Sequence, residues 1–156
     1  MATDFATPGK VLSASGGVVT FAPRGTTYEL HLRAPGAAPA LNVPVDAIIR
    51  VQARKVWTVP SGGLFVSPIF GPPKIIQGRV RHVDEKQLVV QAGATFVVDL
   101  PADDTAVDLP NGAIAVGAMV NVTAMPGATV EFAGEKPAAP TPEVRTVGSG
   151  PGSALP

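Results

Sequence analysis

The residues best equipped to do chemistry lie in one short run, RVQARKVW at 50–57. Side chains on an extended strand alternate between faces. Arg50, Gln52 and Arg54 then share one face, and Val51, Ala53, Lys55 and Trp57 share the other. Guanidinium groups spaced along a strand grip successive phosphates, and an exposed indole is a platform on which a base stacks. Lys74, Arg79 and Arg81 carry the cationic series further along the chain. Arg50, Arg54, Lys55, Lys74, Arg79 and Arg81 therefore form a candidate anion-binding set. A second set is apolar. Trp57, Phe65, Phe70 and Pro72, with Ile69, Ile75 and Ile76 among them, crowd one proline-containing stretch. They mark a candidate partner surface, suited to a protein partner or to self-association.

Other chemistries lack their parts. The chain has no cysteine, which removes disulfides, thiolate catalysis and Cys-based metal sites. His31 and His82, the two histidines, occupy unrelated positions. Asp103-Asp104-x-x-x-Asp108 offers oxygens to a hard cation but lacks the spacing and closing glutamate of a calcium loop. It reads as a solvated turn. Ser13, Ser15, Ser61 and Ser67 lie outside any nucleophile-elbow pattern. The turns ASGG and PSGG lack the lysine of a phosphate-binding loop. Asn121-Val122-Thr123 fits a glycosylation acceptor, which matters only in a secreted chain. No nucleophile, base and oxyanion donor assemble. The expectation is a protein that is not an enzyme and uses no cofactor or metal.

The elements that must position these residues follow from composition. β-branched residues recur between 17 glycines and 17 prolines, an all-β signature. Charged residues are 15% of the 156, against about 25% in typical domains. So weakly charged a surface favours association over repulsion. The start, MATDFATPGK, has no basic-then-apolar leader, and no apolar run reaches the roughly 18 residues of a membrane span. A soluble cytoplasmic protein is expected. The neutral net charge hides a split: residues 1–81 hold nine Lys/Arg against three Asp/Glu, and residues 82–156 hold three against nine. A basic first half suits an anionic partner, or head-to-tail attraction between copies.

The chain also begins twice. Gly9-Lys10-Val11 matches Gly78-Arg79-Val80, VVTF at 18–21 matches LVVQ at 88–91, and RGTTYELHL at 24–32 matches AGATFVVDL at 92–100. This lays Gly25 on Gly93, Tyr28 on Phe96 and Leu32 on Leu100. Further on, Ile48 falls on Ile114 and Val56 on Val122, and VPSGGLFV at 59–66 falls on MPGATVEF at 125–132. The reading is an internal duplication of about 60 residues per copy. The organisation expected is an N-terminal extension (1–7), a first small β-barrel (8–66), a Pro-rich joint (67–77), a second small β-barrel (78–133) and a disordered Pro/Gly-rich tail (134–156). Each copy must close its own core or share one across the joint.

The opening Gly78-x-Val80, the hairpin LVVQAGATFVVDL and the late VGAMVNVTAMPG resemble the small OB-like barrels of bacteria, including TOBE-type domains and related OB-like repeat domains of unknown function. In such families a small-G-x-x-V-x-V element starts the last main strand. Copy one departs from this, with Val51-Gln52 where the glycine is expected. The resemblance implies tandem OB-like barrels and, in some TOBE-type members, oxyanion binding, but no motif here transfers that activity residue by residue. The function expected is a non-catalytic binding or assembly module. The alternatives are single-stranded nucleic-acid or polyanion binding through the basic first copy, and small-oxyanion binding.

Overall fold

A computed structural model of the chain describes residues 5–36, 38–60, 62–101, 107–108 and 114–132. The all-β expectation holds, with twelve strands among these residues. In chain order they are β1 (Thr7–Ser15), β2 (Val18–Pro23), β3 (Glu29–Arg33), β4 (Val45–Thr58), β5 (Phe65–Ser67), β6 (Phe70–Gly71), β7 (Ile75–Val83), β8 (Gln87–Gln91), β9 (Thr95–Asp99), β10 (Val107–Asp108), β11 (Met119–Ala124) and β12 (Thr129–Phe132). No helix among them is long and apolar enough to cross a membrane. The expectations for the 134–156 tail, Ser61, Asp103 and Asp104 fall outside the described residues.

Two meanders, β1-β2-β3 and β7-β8-β9, are each antiparallel and joined by short turns. They meet on β4, a single strand of 14 residues. One circuit runs β4-β1-β2-β3-β12 and back to β4; the other runs β4-β11-β7-β8-β9 and back to β4. The first circuit takes β12 from beyond the joint, and the second takes β4 from before it. β5, at the end of the first segment, likewise pairs with β7 of the second. The segments before and after the joint share one core. Phe21, Leu30, Ile49, Ile76, Leu88, Phe96 and Val130 belong to one buried cluster. A smaller cluster, Ile48, Val89 and Val97, also draws on both segments and is covered by Phe5 and Ala6.

The meanders share three local devices. A bulge interrupts β1–β2 between Val11 and Ser13, and another interrupts β7–β8 between Val80 and His82. Gly9 and Gly78 lie where a Cβ would strike the carbonyl of Ala22 or of Gln91. The Val11 carbonyl accepts from Asn42 N–H, and the Val80 carbonyl from Gly117 N–H, each at 2.8 Å. Asn42 (φ 61°) and Gly117 (φ 94°) are both left-handed.

The pairing register relates the two meanders differently from the linear match of their sequences. Gly9 faces Val45 and Gly78 faces Val120, so Val45 and Ala47 stand to β1 as Val120 and Val122 stand to β7, whereas the linear match sets Val56 on Val122. Asn42 holds the left-handed position before the strand that faces Gly9, as Gly117 does before the strand that faces Gly78, and asparagine tolerates that conformation without a glycine. Phe21 faces Leu30 and Val90 faces Phe96, so the counterpart of Phe96 is the buried Leu30, and Tyr28 lies in a longer turn.

The close approach at Gly78 makes a prediction. Gly78→Ala should cost ~1–3 kcal/mol through overpacking against the β8 backbone. Gly63→Ala, whose Cβ meets nothing within 4 Å, should stay within about 0.5 kcal/mol. Urea midpoints at constant m-value decide between equal and unequal effects.

Candidate functional site

β4 does not alternate as its sequence suggests. Against β11, Val56 faces Val122 and Lys55 faces Thr123, but the next pair is Ala53 with Ala124. Arg54 is the extra residue of a bulge, which resets the phase. Val51 and Ala53, then Val56 and Thr58, point to the core. Arg50 and Gln52, then Lys55 and Trp57, point outward. The expectation that Lys55 and Trp57 oppose Arg50 is therefore corrected: the bulge brings them to one face. Lys55 Nζ lies 5.7 Å from the Trp57 ring centroid, a cation–π distance.

The cations do not form one track. Arg79 donates to the Gly117 carbonyl at 3.0 Å. Arg81 sits at the β7 bulge, 3.5 Å from Gln91 Oε1. Lys74 is exposed just before β7. Between β4 and β7 runs β11, where Met119, Asn121 and Thr123, on the side opposite Val120 and Val122, are neutral. Arg50 instead borders a groove of about 280 Å³ with Phe5, His82, Asp84 and Gln87.

The apolar set divides at the joint. Phe65 and Ile75 are both 38% exposed and lie on the outer face of β5 and β7, whereas Ile76 is fully buried core, a correction to its expected place on the partner surface. Phe70, 62% exposed, pairs with Glu29 of β3 and meets the His31 ring edge-on at 5.0 Å. Pro72 is exposed beside it. Phe65 and Trp57 belong to one row across four strands, Phe65–Gln77–Asn121–Trp57.

The middle of that row was not legible in the sequence. Gln77 Nε2 donates to the Gly63 carbonyl at 2.9 Å, and Asn121 Nδ2 donates to Gln77 Oε1 at 3.0 Å. A carbonyl only accepts, so Gly63 fixes the orientation of both amides. Asn121 Oδ1 is left as the open end of the chain: it is buried and has no hydrogen-bond partner. Asn121 itself is 9% exposed, which also removes it as a glycosylation acceptor. Only the pairing register brings Gln77 and Asn121, 44 residues apart, side by side.

The histidines stay apart in role. His31 packs on Phe70 and His82 on Phe5, with ring centroids 5.4 Å apart in the second pair. Among the described residues no three His, Cys, Asp or Glu gather as a metal-binding group.

Two polar contacts tie the segments behind this face. Thr95 N–H donates to Thr7 Oγ1 at 2.8 Å, and that hydroxyl donates to the Thr95 carbonyl at 3.1 Å. The Tyr28 hydroxyl donates to the Ala92 carbonyl at 2.9 Å and also meets the backbone of Val66. Burial pushes the Tyr28 phenol above its ordinary range, and the Val66 backbone hydrogen bond opposes that.

Comparison with known proteins finds no matching family, no matching curated protein and no matching solved structure.

The raised Tyr28 value fixes an alkaline prediction. The unfolded chain loses the phenolic proton near pH 10 while the folded chain still holds it, so stability present below about pH 10 falls as pH rises beyond it. Urea midpoints measured between about pH 8 and about pH 11 should fall more steeply for the natural chain than for Tyr28→Phe. At about pH 8 the variant should be less stable by ~1 kcal/mol.

Proposed function

We propose that this protein is a non-catalytic binding or assembly module, built by internal duplication of an OB-like unit whose two copies have exchanged strands. The matched bulges, the matched glycines and the matched N–H to carbonyl closures at Asn42 and Gly117 support the duplication. The observation that carries the binding reading is the row Phe65–Gln77–Asn121–Trp57. It sets two large rings either side of oriented amides whose last acceptor is unsatisfied. A buried acceptor without a donor costs ~1–3 kcal/mol, and a partner's N–H or O–H would remove that cost once the Asn121 side chain turns outward to meet it. Flanking apolar groups suit a protein surface, including that of a second copy.

A second reading is polyanion binding, favoured by the bulge that brings Arg50, Lys55 and Trp57 to one face. Lys55 already lies over the indole, so a stacked base would have to displace it.

Light scattering on a size-exclusion column, at low and high salt and with a short single-stranded oligonucleotide, separates the two. The assembly reading expects a defined oligomer that persists in high salt. Trp57→Ala with Phe65→Ser should dissociate it, and Arg50→Ala with Arg54→Ala should not. A monomer that shifts only with oligonucleotide, at low salt, and only while both arginines are present would replace that reading with polyanion binding.

A further inference from the structure

The two halves treat the same turn differently. In the second half the β8–β9 turn, with Gly93 at φ 87°, is packed by an aromatic ring: a Cβ on Gly93 would lie 3.0–3.4 Å from Tyr28 atoms. In the first half the matching turn, with Gly25 at φ 81°, has nothing within 4 Å of that position. The β8–β9 turn is too short to supply a counterpart of Tyr28. Beside Gly25 there is instead a cavity of about 390 Å³, a volume within the range of small-ligand sites.

The lining narrows the ligand. Pro8, Pro23 and Pro44 form much of the wall, and prolines contribute no N–H donors. Two wall carbonyls are already engaged: Pro8 accepts from Arg24 N–H at 2.8 Å, and Pro23 accepts from Thr26 Oγ1 at 2.9 Å. The latter stands where the Ala92 carbonyl takes the Tyr28 hydroxyl in the second half. A sugar or a cation would thus find few groups to bond. Lys10 and Arg24, both exposed, border the cavity and are the only ionisable residues in its lining among the described residues.

We propose that this cavity binds a small aromatic carboxylate, with the ring against the prolines and Gly25 and the carboxylate paired with Lys10 and Arg24. The ring takes the place that Tyr28 fills in the other half, and the cations provide charge-assisted hydrogen bonds to the carboxylate. This site lies apart from the Trp57–Phe65 row and stands or falls independently of it.

Phenylacetate is the probe, with acetate and 2-phenylethanol as comparators, read by amide shifts in a nitrogen–proton correlation spectrum of the full chain. The expected result is saturable shifts at Gly9, Lys10, Gly25 and Thr26 with phenylacetate, and at least tenfold weaker binding of either comparator. The double variant Lys10→Gln, Arg24→Gln changes only exposed side chains and should weaken phenylacetate binding at least tenfold. Ala22→Leu, which fills the cavity, should abolish it. Three outcomes would overturn the proposal: no shift at these amides, equal shifts with acetate, or binding indifferent to loss of both cations.

Discussion

Strand β4 must satisfy two edges of backbone at once, and both halves of the molecule depend on how it does so. Ala47 pairs with Thr7 on one side and Phe132 on the other, Ile49 with Phe96 and Val130, and Val56 with Val107 and Val122. β1, β9 and β10 thus follow one another along one edge, and β12 and β11 along the other. Buried N–H and carbonyl groups without partners are costly, so a strand shared in this way cannot move relative to either half. The strand passes from one circuit to the other between Arg50 and Ala53, and the bulge at Arg54 follows within the pairing to β11. By resetting the phase there, it keeps Val51, Ala53, Val56 and Thr58 all buried and turns Lys55 and Trp57 outward. The placement of the candidate site follows from that backbone constraint.

Much of the local structure was legible in the sequence. The polar Asp84-Glu85-Lys86 turn between two apolar runs, the ATFVVDL strand and the late MVNVTA strand all stand where alternation put them. What could not be read was partner choice. Phe65-Val66-Ser67 and Thr129–Phe132 are short runs that any neighbouring edge could accept, and here each crosses to the other half. Hydrophobic period fixes which side of a strand is buried, but not which strand lies beside it. Asn42 shows the complementary limit. Its left-handed backbone does what Gly117 does, but a motif written around glycine passes over it.

The site divides along the same line. Trp57, Phe65 and the arginines were visible as residue types, whereas the oriented amides of Gln77 and Asn121 exist only through register. The charge split is likewise altered by the topology. Arg50, Arg54 and Lys55 belong by sequence to the basic first half, yet they sit on the strand that closes the circuit containing Asp84, Glu85 and Asp99. Arg50 lines one groove with Asp84. Strand exchange mixes charges that are segregated along the chain, which weakens the argument for head-to-tail attraction between oppositely charged lobes. The face then owes more to its apolar and amide groups than to its net charge.

Two similar meanders, interlocked on one strand, are not equivalent. The longer β2–β3 turn carries Tyr28 across to Ala92 and Val66, so one element of the first half fastens the second. The shorter β8–β9 turn returns nothing, and the ground beside Gly25 stays open. Such asymmetry is tolerable because stability is already supplied by the shared core and by the Thr7–Thr95 contact. Few such ties suffice for a body whose halves cannot separate without unpairing β4. The same longer turn that reaches across with Tyr28 leaves beside Gly25 a cavity that a purely structural role would have filled.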